Sequence, residues 1–260
     1  MPSIDLPVPA RALAVGAHPD DIEFGAGATL AKWAAAGCEV SFAICTDGSK
    51  GTWDPAADLA GLMTTRQAEA RDAAAALGAT GEVVFLGRVD GELENDRETR
   101  STLARWIRVL RPDVLLGHDP WKRYRLHPDH RAGGFLVTDA LVAARDPHFF
   151  GEHGVAHHRP SALLLFEADE PDHAEAVDHT HVAAKIAALE SHRSQYESTM
   201  FISSAGDGAG GGGAGGGGAG AGLIAEQERF RAGVHAEVTE AGQWAGVALA
   251  ERFRFMPTDR

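Results

Sequence analysis

Arg11-Ala12-Leu13-Ala14-Val15-Gly16-Ala17-His18-Pro19-Asp20-Asp21-Ile22-Glu23-Phe24-Gly25-Ala26-Gly27 changes character twice along its length. Arg11 to Val15 is a short apolar run of the kind that fills a buried strand, and Gly25 to Ala36 then shows helical spacing. Between them a histidine and two adjacent aspartates crowd one turn. The rest of the first half repeats this unit. Glu39 to Cys45, Glu82 to Leu86 and Val114 to Gly117 read as strands; Thr64 to Leu77, Asp96 to Leu110 with Asp96 as N-cap, and Pro128 to Ala144 read as helices. Strands spaced by helices pair in parallel through right-handed crossovers, so the expected fold is a three-layer, Rossmann-like α/β domain with a mostly parallel sheet.

Ser161 to Phe166 extends the series as a strand and Val182 to His192 as a helix. Residues 206–222 are almost entirely Gly and Ala, which supply no core, and read as a flexible loop without the Gly-Lys-Ser/Thr ending of a phosphate-binding loop. After it, Leu223 to Ala236 looks helical, and Trp244 to Phe255 carries enough aromatic and aliphatic residues to pack back on the domain. The expected organisation is a catalytic domain over 1–205, the loop over 206–222, and a helical and strand extension over 223–260.

A hydrophobic share of 44% and a charged share of 23% are ordinary for a globular chain of 260 residues. The net charge of −13 argues against nucleic acid or an anionic membrane as partner, because such binding needs clustered Lys and Arg. Two cysteines, Cys38 and Cys45, are too few for a disulfide framework, and the first nine residues lack the basic start and apolar run of a signal peptide. A cytoplasmic location and a small-molecule partner are the expectations.

In an open parallel sheet the loops at the carboxyl ends of the strands line the ligand crevice, which is where His18, Asp20 and Asp21 fall. His18 offers an imidazole and Asp21 a carboxylate, a donor pair that suits Zn²⁺. Asp20 can sit beside such an ion without binding it and take a proton from water. Acids that only stabilise a helix start fit this segment equally well. The second cluster, His127-Pro128-Asp129-His130, follows the fourth strand and its loop and so opens into the same crevice. One of its histidines can ligate while the other faces the reacting carbonyl, with Asp129 fixing the tautomer or charge of a neighbouring imidazole. A capped helix start explains Pro128, but not two histidines.

His18-Pro19-Asp20-Asp21 and His127-Pro128-Asp129-His130 resemble the two metal motifs of the PIG-L/LmbE-like zinc deacetylases. Thr46 to Thr52 resembles that family's substrate loop, Arg66 with Glu69 its Arg-x-x-Glu, Leu86-Gly87 through Asp90-Gly91 its Leu-Gly to Asp-Gly stretch, and Ala188-Leu189 with His192 to Gln195 a further signature. The resemblance spans roughly the first three quarters of the chain. It implies one Zn²⁺ per chain held by His18, Asp21 and His130, with Asp20 as base and His127 facing the oxyanion. Arg66, Asp90 and Asp47 would contact the sugar, although Asp47 in its loop also fits a turn former. The implied reaction is removal of an N-acetyl group from an amino-sugar compound such as a GlcNAc glycoside, a thiol precursor or an antibiotic sugar. Family members range from monomers to hexamers, so the resemblance allows a homo-oligomer.

Some members carry a tyrosine shortly before the second histidine motif, where this chain has Arg125 and Leu126, and Trp121 to Arg125 is read instead as contacting the leaving portion. Three ligands and a water complete a catalytic zinc shell, so His118, His157, His158, His173, His179 and His181 are expected at the surface or in loops. His192 either caps or packs beneath the site. In the expected mechanism Asp20 deprotonates water and a protonated His127 stabilises the oxyanion. The alternatives are an amidase for a larger acyl or thiol-conjugate amide, and a catalytically silent carbohydrate-binding protein with a structural metal.

Overall fold

The computed structural model describes residues 1–203 and 218–258. In chain order the elements are β1 (Ser3–Ile4), β2 (Arg11–Gly16), α1 (Asp21–Ala35), β3 (Glu39–Thr46), α2 (Leu59–Ala76), β4 (Val83–Arg88), α3 (Arg97–Leu110), β5 (Val114–His118), α4 (Pro128–Arg145), β6 (Ala162–Phe166), β7 (His173–Val177), α5 (His179–Ser191), α6 (Gly218–Ala245) and β8 (Leu249–Pro257). Among the described residues the strands form one sheet in the order β1-β7-β8-β6-β5-β2-β3-β4. It is parallel throughout except at β8, which runs antiparallel to both β6 and β7.

Alternation along β2 builds two cores from one strand. Ala12 and Ala14 face the layer of Leu30, Trp33 and Phe42, whereas Leu13 and Val15 face Leu103, Ile107, Leu136 and Val137 of α3 and α4. The expected three-layer architecture is therefore the observed one. Asp96 caps α3 as expected, its side chain accepting from the Thr99 amide at 2.7 Å. Gly25 is required by packing: a Cβ there would lie 2.4 Å from the ring of Phe166 at the end of β6.

The chain winds from β2 outward through β3 and β4, then returns to lay β5 and β6 on the other side of β2. The loops after β2 and β5 thus diverge at adjacent carboxyl ends, the topological switch point where open α/β sheets bind ligands.

The C-terminal segment joins the sheet itself. Its strand β8 inserts between β6 and β7, pairing Leu164 with Phe255 and Ala174 with Arg252. The helix α6 starts at Gly218, earlier than the expected Leu223, and seats Val234 and Val238 against Val182, Ile186 and Leu189 of α5. The remainder of the expected loop, 206–217, lies outside the described residues. Cys38 and Cys45 are buried and free. No described helix is long and apolar enough to cross a membrane.

Candidate metal centre and active site

The turn after β2 presents His18, Asp20 and Asp21, and the start of α4 presents His127, Asp129 and His130. His18, Asp20, Asp21, Arg66, Asp90, His127 and His130 line one cleft of about 500 Å³, so the structure brings most of the expected site residues together. Asp129 lies beneath it, fully buried.

His18 Nδ1 lies 3.2 Å from His130 Nε2, Asp21 Oδ2 lies 3.3 Å from His18 Nδ1, and Asp21 Oδ1 lies 3.2 Å from His130 Nε2. Two ligands at Zn–N or Zn–O bond lengths on a tetrahedron are separated by about 3.3–3.4 Å, so the two imidazole nitrogens stand at ligand spacing from each other and each stands at it from one oxygen of Asp21. The other ring nitrogen of His18 is turned to carboxylates, with Nε2 at 3.1 Å from Asp129 Oδ2 and 3.2 Å from Asp90 Oδ1. With Nε2–H donated to those acids, the neutral form of the ring has its lone pair on Nδ1, the arrangement that orients a metal-bound histidine. Asp129 is itself fixed by the amides of Gly91 and Leu93, at 2.6 and 3.1 Å.

Burial disfavours a charged His18, yet Asp129, Asp21 and Asp90 outweigh it and push the imidazole up to about 12. A socket with so strong a preference for positive charge, lined by two imidazoles and a carboxylate, fits a divalent cation. Asp21 is likewise held well below the usual carboxylate range: burial opposes its charge, but His118 and His130 more than compensate.

Asp20 is placed differently. It occupies the N-cap position of α1 with φ 117°, and its side chain makes no cap hydrogen bond, so it does not merely stabilise the helix. A non-glycine residue at such φ costs on the order of 1–3 kcal/mol, a strain that the surrounding fold maintains. Burial raises its carboxyl to about 6, Arg66 opposing and Asp21 adding to the shift. Arg66 wraps this turn, donating to Pro19 O at 2.5 Å, Gly48 O at 2.9 Å and Asp20 Oδ2 at 3.3 Å. Gly48 permits it, with φ 66° and no room for a Cβ, which would lie 2.7 Å from Arg66 Nη1. Arg66 lines the cleft, but its Nη2 is engaged by the Asp20 turn and its Nη1 by Gly48 O.

The other expected sugar contacts are also engaged within the protein. Asp90 orients His18 and accepts from the Lys50 amide at 3.0 Å. Asp47 is not among the cleft-lining residues; its Oδ1 accepts from the amides of Ser49 and Asp90, as a turn former does. His127 is exposed to the cleft, and burial with the neighbouring His18 and His130 lowers its pKa. Its Nδ1 accepts from the Asp129 amide at 3.3 Å, so the neutral ring carries its proton on Nε2. Asp129 therefore orients His18 through its carboxylate and His127 through its backbone.

Three histidines expected at the surface or in loops are buried. His158 and His173 have structural partners, in Pro112 O for the first and in Ser3 and Glu175 for the second. His118 belongs to the centre: 1% exposed, it stacks on His130 at 4.3 Å and lies between Asp21 Oδ2, at 3.1 Å from Nε2, and Glu167 Oε2, at 3.2 Å from Nδ1. Burial opposes its charge, but the two acids raise its pKa. Glu167 lines the cleft and also ion-pairs with Arg125; His118 and Arg125 hold it down at about 2 against the effect of burial. Both residues stand at or just past the carboxyl end of a strand, β5 for His118 and β6 for Glu167, which was the available signal. His192 is fully buried 3.5 Å from Glu23 and packs beneath the site.

The model of the PIG-L family, described as GlcNAc-PI de-N-acetylase, matches residues 13–141, a span that contains both histidine motifs. A diacetylchitobiose deacetylase of Thermococcus kodakarensis is 34% identical over 190 residues, covering 72% of this chain and 70% of that protein. A 1D-myo-inositol 2-acetamido-2-deoxy-alpha-D-glucopyranoside deacetylase of Thermomonospora curvata is 31% identical over 224 residues, covering 76% of this chain and 70% of its own length. Among solved structures, N,N'-diacetylchitobiose deacetylase from Pyrococcus horikoshii, complexed with its inhibitor MPG, is similar with a TM-score of 0.79 and 27% identity over 96% of this chain and 85% of that one.

Proposed function

Since the chain belongs to the PIG-L family of de-N-acetylases and is a hydrolytic N-deacetylase, we propose that it removes the acetyl group from an N-acetylglucosamine unit of a small saccharide or glycoside, with one zinc ion held by His18, Asp21 and His130. The observation that carries this reading is the spacing of His18 Nδ1, His130 Nε2 and the Asp21 carboxylate at 3.2–3.3 Å, with His18 Nε2 turned away to Asp129 and Asp90. An ion bound there supplies Lewis acidity, polarising the amide carbonyl and making water a better acid.

The chain's own residues manage the protons. Asp20, ionised above about pH 6 and aimed by Arg66, takes one proton from the attacking water. His127 donates a hydrogen bond from Nε2 to the carbonyl oxygen as negative charge builds on it, and does so as a neutral imidazole, because its pKa is lowered and Nδ1 is occupied by an amide hydrogen. This modifies the protonated His127 expected from sequence. The C–N bond then breaks, Asp20 returns its proton to the departing amine, and the products are acetate and the free amino sugar.

The test is a panel of N-acyl glucosamines, with N,N'-diacetylchitobiose and simple GlcNAc glycosides alongside longer acyl analogues, scored for the acid released. Acetate should be the preferred product. Faster release of a longer acid, or no hydrolysis of any member by the zinc-loaded protein, would refute the assignment.

A further inference from the structure

Five side chains around the centre close into a ring. Asp21 Oδ2 meets His118 Nε2 at 3.1 Å; His118 Nδ1 meets Glu167 Oε2 at 3.2 Å; Glu167 Oε2 pairs with Arg125 Nη1; Arg125 Nη1 meets His130 Nδ1 at 3.2 Å; and His130 Nε2 meets Asp21 Oδ1 at 3.2 Å. Two members are metal ligands in the reading proposed above, on which this inference rests. The other three, His118, Glu167 and Arg125, come from the end of β5, the turn after β6 and the loop before α4.

One contact in the ring opposes metal binding. A guanidinium donates and never accepts, so a hydrogen bond from Arg125 makes His130 Nδ1 the acceptor and puts the ring proton on Nε2, the nitrogen a metal requires bare. A histidine that ligates through Nε2 carries its proton on Nδ1 and needs an acceptor there, usually a carboxylate. Glu167 is the acid that shares the Arg125 nitrogen facing His130. Arg125 is poorly satisfied where it stands: its side chain is 6% exposed, and Nε and Nη2 are buried without a hydrogen-bond partner, so its present position leaves two donors unused. Glu167 is held in a left-handed backbone conformation, φ 55°, that a glutamate does not favour, and its carboxylate is shared between His118 and Arg125.

We infer that His118, Glu167 and Arg125 are positioning residues that set the metal affinity of the centre, with Glu167 favouring the metal-binding form of His130 and Arg125 opposing it. Metal binding moves Arg125 off His130 Nδ1, and Glu167 takes the proton-bearing nitrogen. His118, gripped by Asp21 and Glu167 together, keeps both acids in register during the exchange.

The two residues therefore carry opposite signs. Zinc dissociation constants, measured on the full-length metal-free protein by competition with a chromophoric chelator, should rise about 10–100-fold in Glu167→Ala, the usual effect of losing such a partner. They should fall about 3–10-fold in Arg125→Met, the fold-change equivalent to one net hydrogen bond. Arg125→Gln, which loses the charge but keeps a polar N–H donor, should move the same way by less, and serves if the methionine variant does not fold. The visible spectrum of the Co²⁺-substituted protein should shift in Glu167→Ala and recover in Glu167→Asp. A merely structural role would weaken binding in both variants alongside a lowered melting temperature; that result, or unchanged constants, overturns the inference. His130→Ala separates the two levels: loss of zinc binding there keeps the ligand assignment even if Glu167 and Arg125 fail, whereas wild-type affinity removes the ligand assignment and this inference with it.

Discussion

Asp20 stands on a backbone conformation that a side chain other than glycine's adopts only under strain, and its neighbours maintain it. The Arg66 guanidinium grips the preceding carbonyl and the carboxylate, while burial holds the carboxyl at about 6. Replacement by Asn should leave zinc content unchanged and lower kcat roughly 10²–10⁴-fold, the range of a general base. The sign of the pH effect follows from the raised value. The base works when ionised, so kcat/KM should fall as pH drops through about 6, or through a lower value once a cation beside the carboxylate favours its charge. Rate and zinc assays across pH check both parts; an acid limb above pH 7, or near-normal turnover in Asp20→Asn, would contradict the role. At this scale the sequence was most informative for residues packed into motifs. His18, Asp20, Asp21, His127 and His130 share one cleft. It was least informative for single residues delivered by separate strands: His118 and Glu167 reach the centre from β5 and the end of β6, and only their places at strand ends mark them. Of the expected sugar contacts, Arg66 and Asp90 line the cleft while also bonding to a carbonyl and an imidazole, whereas Asp47 lies outside the lining and accepts turn amides; residue type alone does not separate these uses.

Among the elements, the strands and helices with strong periodicity fell close to their expected positions, because an apolar run covered on both faces or a helical stripe leaves few alternatives. The helix at α3 even kept its Asp96 cap. The short strands β1 and β7 were not legible: Ser3–Ile4 has too few residues to show a period, and His173–Val177 carries His173 and Glu175 as a buried polar pair where an apolar run would be expected. Gly25 links element packing to the site. Phe166, against which it packs, is in edge contact with His118 at 4.6 Å, so helix α1, strand β6 and the outer ring of the centre share one interface. Gly25→Ala gains helix propensity but forces the pinned Phe166 ring to move; overpacking of this kind costs about 1–3 kcal/mol. The melting temperature of the metal-free protein should fall by roughly 2–4 °C per kcal/mol for a chain of this size. An unchanged or higher value would show that the contact has slack.

For the whole molecule, chain order explains the position of the site. Winding outward from β2 and returning at β5 opens a crevice between the two loops that bear the histidine motifs. The tail is read from its sequence only as packing back on the domain, because composition reports that a segment will be buried, not where; only pairing decides that β8 runs between β6 and β7. The acidic surface, net −13, is compatible with a neutral saccharide and leaves the concentrated negative charge of Asp20, Asp21, Asp90 and Asp129 to attract a cation. The donor atoms around that charge form overlapping sets, with His18, His127 and His130 in one, Asp21, His118 and His130 in another, and His18, Asp90 and Asp129 in a third, so the number of ions the centre uses is the sharpest question about it. Stripping the protein with a chelator and titrating zinc back while measuring acetate release answers it: the rate should start near zero, rise linearly and break at one equivalent per chain, whereas full activity in the stripped protein or a break at two equivalents would contradict a single-zinc deacetylase built on His18, Asp21 and His130.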